Sequence, residues 1–189
     1  MLLALLLVAV TAHSSDLFDR GADALLYDRP REAATLFEQV IAADPVNGRA
    51  YLYLALSYEQ LAMYERAITT LQRAETVPGV DRSTVRFNIG NNYLHLGDAE
   101  RAHAAYTAAI EASPVAADAY LNRANLNVST ERFDEAIDDY AAVLGIEPEH
   151  PQRPQIEQMI ALLRGHVEEA RLREEEERRR REEEEARRM

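Results

Sequence analysis

The chain has 189 residues, 33 of them acidic and 21 basic, with a formal charge of −12. An acidic excess of this size excludes the basic footprint of a nucleic-acid binder. The absence of cysteine excludes disulfides, thiolate metal sites and cysteine nucleophiles. Every basic residue is arginine, so Schiff-base lysine chemistry and the lysine of a phosphate loop are excluded too.

Residues 1–12 read MLLALLLVAVTA. This apolar run is shorter than the roughly 20 residues a membrane span needs, and it has the length of a signal-peptide core. Val10 and Ala12 are small residues at −3 and −1 of a cleavage site before His13. The expectation is export to a bacterial periplasm or envelope. The alternatives are an uncleaved inner-membrane anchor and an apolar first helix in a cytoplasmic protein. Membrane contact is expected only through this segment.

From residue 14 the chain repeats with a period of 34 residues, in units 14–47, 48–82, 83–116 and 117–150. The second repeat has one extra residue, in its 77–82 loop. Position 8 holds Gly21, Ala55, Gly90 and Ala124, and position 20 holds Ala33, Ala67, Ala102 and Ala136. Position 24 holds Phe37, Leu71, Tyr106 and Tyr140; position 27 holds Val40, Ala74, Ala109 and Val143. Position 32 holds Pro45, Gly79, Pro114 and Pro148. The apolar residues have helical spacing, as in Ala136, Ile137, Tyr140 and Val143. Each repeat therefore reads as two helices around a turn, Gly97-Asp98 in the third and Asp28-Arg29, Ala62-Met63 and Glu131-Arg132 in the others. Small residues at 8 and 20 let the two helices approach closely. Larger ones at 24 are expected to bridge to the next hairpin. No hairpin buries its apolar face alone, so neighbours stack.

After a break at Pro151, Arg153 and Pro154, a helix is expected from Gln155. Ile156, Met159, Ile160, Leu162, Leu163 and Val167 give it an apolar stripe, and 154–170 reads as a cap on the last repeat. Residues 171–189 hold 8 Arg and 8 Glu, so the whole acidic excess lies before them. Each Glu of 174–177 has an Arg four residues on, the favourable order for helical pairs. Between Leu172 and Ala186 there is no apolar residue to form a coiled-coil seam. The tail reads as a solvated helix, with a disordered polyampholyte as its rival.

The period and these positions resemble the tetratricopeptide repeat, which carries Trp, Leu-Gly, Tyr, Ala, Phe and Pro at fixed offsets over 34 residues. The resemblance covers 14–150. It departs at position 4, which holds Leu17, Tyr51, Arg86 and Tyr120 and never Trp. It implies an all-α solenoid of four helix hairpins, here with a capping helix extended into the charged tail.

In that family the first helices line a concave surface. The matching residues are Leu52, Tyr53 and Leu56 in the second repeat, Phe87, Asn88 and Asn91 in the third, and Leu121, Asn122 and Asn125 in the fourth. A row of amides, donor and acceptor both, suits the main chain of an extended peptide, with Leu52, Tyr53, Leu56 and Phe87 as apolar anchors. The competing reading is that the asparagines bond between helices. The family's basic clamp for a C-terminal carboxylate does not carry over, since only Arg49 fits it.

The expected function is a non-enzymatic interaction scaffold for a protein partner, without cofactor or metal. The second reading is a structural spacer or assembly factor acting through the charged helix. The five histidines have no convincing metal-ligand spacing, Asp138-Asp139 reads as a solvated face, and the Asn127-Val128-Ser129 sequon falls within a helix.

Overall fold

In the computed structural model the backbone is described for residues 2–189 and the side chains for residues 14–189. The described residues form nine helices and no strand: α1 (Leu2–Leu26), α2 (Pro30–Ala43), α3 (Gly48–Gln60), α4 (Tyr64–Ala74), α5 (Arg82–His95), α6 (Ala99–Ala112), α7 (Ala117–Ser129), α8 (Phe133–Ile146) and α9 (Arg153–Arg188). The fold is an all-α solenoid of helical hairpins. It divides into two compact units, Met1–Pro114 and Val115–Met189. The side chains of the candidate leader, 1–12, lie outside the described residues. Among those residues no helix is long and apolar enough to cross a membrane.

One device closes all four hairpins. Position 15 is left-handed in each, with φ 55° at Asp28, 54° at Ala62, 74° at Gly97 and 59° at Glu131. The next N–H then reaches back to the carbonyl of position 11. These bonds are Arg29 to Ala24, Met63 to Tyr58 and Arg132 to Asn127, each 2.8 Å, and Asp98 to Tyr93, 2.9 Å. This is the Schellman ending, which satisfies carbonyls that the helix leaves open. Only the third repeat has the glycine that adopts it without a Cβ penalty. A left-handed non-glycine residue costs roughly 1–2 kcal/mol, part of which a glycine loses again by loosening the unfolded chain. Ala62→Gly and Glu131→Gly are each expected to raise stability by about 0.5–1 kcal/mol in urea unfolding, and Gly97→Ala to lower it. An Ala62→Gly change that destabilises would show that the turn is held by something other than its backbone.

In the N-terminal unit the core runs from Leu17 and Phe18 through Phe37, Tyr51, Leu54 and Leu71 to Val85 and Ile89. Ala33, Ala67 and Ala102 at position 20 are wholly buried, as the close approach of paired helices requires. A Cβ added to Gly90 would lie 2.5 Å from the Tyr106 ring, so only glycine fits there without displacing that ring. Position 24 is expected to bridge to the next hairpin. Phe37 does, lying 5.4 Å from both Phe18 and Tyr53 between ring centroids. Tyr106 packs on Gly90 and Phe87 of its own hairpin.

In the C-terminal unit Ala124, Ala136, Tyr140 and Val143 form one core with Ile156, Ile160 and Leu163 of α9. That helix starts earlier than the sequence suggests, at Arg153. Pro154 sits in its first turn, where a missing N–H costs nothing. No residue after Leu163 is buried, yet the helix continues without a break to Arg188. At 36 residues it is about 54 Å long. Local pairs line its exposed part: Arg171 with Glu168 and Glu175, Arg181 with Glu177, and Arg178 with Glu182.

Candidate functional site

The N-terminal unit holds a pocket of about 160 Å³ where α3 meets α5 over Leu71 of α4. Its apolar walls are Leu52, Tyr53, Ala55, Leu56 and Leu71, and its polar groups belong to Glu59, Thr84 and Asn88. Leu52, Tyr53 and Leu56 are there because α3 presents positions 5, 6 and 9 on one face. Leu56 remains 41% exposed, an apolar side chain at the mouth without a cover. Tyr53 is held from behind by the rings of Phe18 and Phe37.

The pocket thus gathers four of the expected groove residues, Leu52, Tyr53, Leu56 and Asn88. Phe87 does not line it and rests on Tyr106, ring centroids 6.0 Å apart. Asn91 is occupied within its hairpin, its Oδ1 accepting the Tyr106 hydroxyl at 2.8 Å. Asn125 repeats the arrangement one repeat later, accepting from Tyr140 at 2.6 Å. The Asn88 amide donates to the Thr84 carbonyl of its own helix at 2.9 Å. Leu121 and Asn122, both half-buried, belong with Asn125 to the C-terminal unit. Arg49 lies over the Phe18 ring, 4.7 Å from its centroid.

Glu59 and Asn92 are the residues that sequence reasoning missed. Asn92 is wholly buried in α5, and its amide nitrogen donates to the Asn88 carbonyl at 2.8 Å and to Glu59 Oε2 at 3.0 Å. The signal was present: position 12 holds Leu25, Glu59, Leu94 and Val128, one charge among apolar residues.

Two polar clusters elsewhere are tied by internal hydrogen bonds. Tyr58 donates to Glu38, and Arg66 reaches both, at 2.6 Å and 3.2 Å, from above the Tyr58 ring. Burial, and then the bond to Glu38, push the Tyr58 phenol up to about 12. In the C-terminal unit Arg123 grips Asp139 with two bonds of 2.7 and 2.9 Å, and Asn127 donates to the same carboxylate at 3.1 Å. This corrects one expectation and agrees with another. Asp139 is buried rather than on a solvated face, and Asn127 of the sequon is sealed in the hairpin. His95 is stacked on Tyr64, 4.9 Å between centroids. Among the described residues no group of His, Cys, Asp or Glu is placed to hold a metal ion.

Hairpins closed by one recurrent turn, with alanine at each crossing and a pocket on the first helices, define a helical-repeat protein of the interaction-scaffold class. The chain belongs to the tetratricopeptide repeat family, whose model matches residues 18–80 and 87–154. No curated protein sequence matches it. Among solved structures it is similar to a MamA protein, at TM-score 0.68 and 22% identity, covering 80% of each chain. It is also similar to YrrB, described as a TPR protein with an unusual peptide-binding site, at TM-score 0.62 and 16% identity. That match covers 80% of this chain and 76% of YrrB. At these identities the likeness is one of fold.

Proposed function

We propose that this scaffold binds an extended peptide segment of a protein partner across the α3–α5 face of its N-terminal unit. One observation carries the reading: the apolar pocket walled by Leu52, Tyr53 and Leu56 is open to solvent, although each hairpin core beside it is closed. An uncovered apolar hollow on a built surface is the usual form of a ligand site. The peptide-binding site in the description of YrrB is consistent with it. The anchors are apolar side chains with Asn88 beside them. Asn91 and Asn125 support the hairpins.

The test is Leu56→Glu, a change at a half-exposed position that leaves the core intact. Short peptides selected from a random display library on the full wild-type chain should bind at least about tenfold more weakly to this variant, with an unchanged melting temperature. Selected peptides that bind both proteins equally would place peptide binding elsewhere or nowhere.

A further inference from the structure

The pocket has a chemical preference that its apolar walls alone do not explain. We infer that it receives a long cationic side chain, lysine or arginine, of the partner segment: the stem against Leu52, Tyr53 and Leu56, the charged head on Glu59. This deepens the peptide-binding reading and rests on it.

The polar groups of the pocket are nearly all acceptors once their internal bonds are assigned. The Asn88 amide nitrogen spends one of its two hydrogens on the Thr84 carbonyl, which can only accept, and its Oδ1 stays open to a ligand. The Thr84 hydroxyl donates to Asp81 Oδ2 at 2.6 Å, which leaves lone pairs. Glu59 is a carboxylate, and the Tyr53 hydroxyl accepts as readily as it donates. A ligand group that satisfies this set must be rich in donors. An ammonium or guanidinium is, whereas a carboxylate or a carbonyl is not.

Glu59 is also held in place. Asn92 uses both amide hydrogens, one on the Asn88 carbonyl and one on Glu59 Oε2, and it is fully buried. The carboxylate is therefore ordered before any ligand arrives. Five arginines of this unit, Arg20, Arg29, Arg66, Arg86 and Arg101, pair with Asp16, Glu32, Glu38, Glu75 and Asp98. Among the described residues, Glu59 has the neutral Asn92 amide and no arginine. A half-buried carboxylate bordered by leucines and matched only by an amide is complementary to a cation with an apolar stem.

The charge of the chain points the same way. Its acidic excess lies in residues 1–170, where 25 acidic side chains face 13 arginines, and that field draws a basic segment in. The chain has no lysine of its own, so a lysine occupant comes from another protein.

The experiment uses the full chain and a random short-peptide display library, with counter-selection on Leu56→Glu. The best pocket-dependent peptide is then synthesised with its cationic residue and with norleucine, which keeps the stem and removes the charge. On the wild-type chain the norleucine peptide should bind about tenfold more weakly. On Glu59→Gln, which keeps an acceptor for Asn92, that difference should largely vanish, and added salt should weaken only the cationic peptide on the wild-type chain. Pocket-dependent peptides with no essential cation would overturn this inference and leave peptide binding standing. A norleucine penalty that is the same on Glu59→Gln would overturn it too, since the cation would then sit elsewhere. An absence of pocket-dependent peptides would end both readings. Sedimentation of the wild-type chain covers the remaining occupant: self-association abolished by Glu59→Gln would give the pocket to an arginine of a second copy and overturn the partner assignment.

Discussion

Tyr106→Ala is expected to lower the stability of the chain by about 3–5 kcal/mol, close to the limit of what one aromatic truncation does in a core. The ring has no exposure and sits against the bare backbone of Gly90. Because position 90 has no side chain, it offers nothing to fill the space the ring leaves, and a cavity opens against the α5 backbone. The hydroxyl adds a smaller term. Tyr106→Phe keeps the ring but removes the donor to Asn91 Oδ1, and should cost about 1 kcal/mol. Urea unfolding at neutral pH separates the two variants. A loss below 1 kcal/mol for Tyr106→Ala would mean that α5 and α6 close over the gap. Asn91→Ala belongs to the same experiment and should also destabilise, since it removes an acceptor of a buried hydroxyl.

Asn91 shows how far the sequence could be read. The recurrence of asparagine at position 9 was visible, and the family resemblance drew it towards a ligand. The internal partner was visible as well. Position 9 is asparagine only where position 24 is tyrosine: Asn91 with Tyr106 and Asn125 with Tyr140, against Ala22 with Phe37 and Leu56 with Leu71. Two residues that change together on facing helices of one hairpin are packing against each other, and the structure shows the bond in both cases.

Alanine at position 20 was legible for the opposite reason. The close crossing of paired helices admits almost nothing else, so the constraint appears in every repeat. The left-handed residue at position 15 was legible only at Gly97. Its bonds are made by the backbone, and the chain accepts the strain of Asp28, Ala62 and Glu131 because the Schellman carbonyls must be satisfied. Glu59 was hidden because its environment depends on Asn92, one repeat away in sequence and on a different helix. The continuity of α9 beyond Leu163 was legible from local Glu-Arg spacing, which needs no tertiary contact to act.

Asp139→Ala is expected to cost about 3–5 kcal/mol, although the residue is charged and its sequence neighbour is a second aspartate. The side chains of Asp139 and Arg123 are 5% and 17% exposed. The bonds to Asp139 hold the Arg123 guanidinium above its ordinary pKa, so the charge stays on it. Removing the carboxylate takes away both bonds that Asp139 accepts from that guanidinium and the negative charge facing it. It also strips Asn127 of the acceptor for its amide nitrogen, in a residue whose Oδ1 already has no partner. Loss of one member of a buried pair costs far more than the pair itself contributes, because the penalty is the desolvated charge left behind. Arg123→Met combined with Asp139→Leu should therefore be much milder than Asp139→Ala, in spite of changing two residues. A double-mutant cycle on α7 and α8 measures the difference. Equal losses for the single and double variants would show that solvent reaches Arg123 as soon as Asp139 is gone, and that the cluster is a surface pair rather than a buried one.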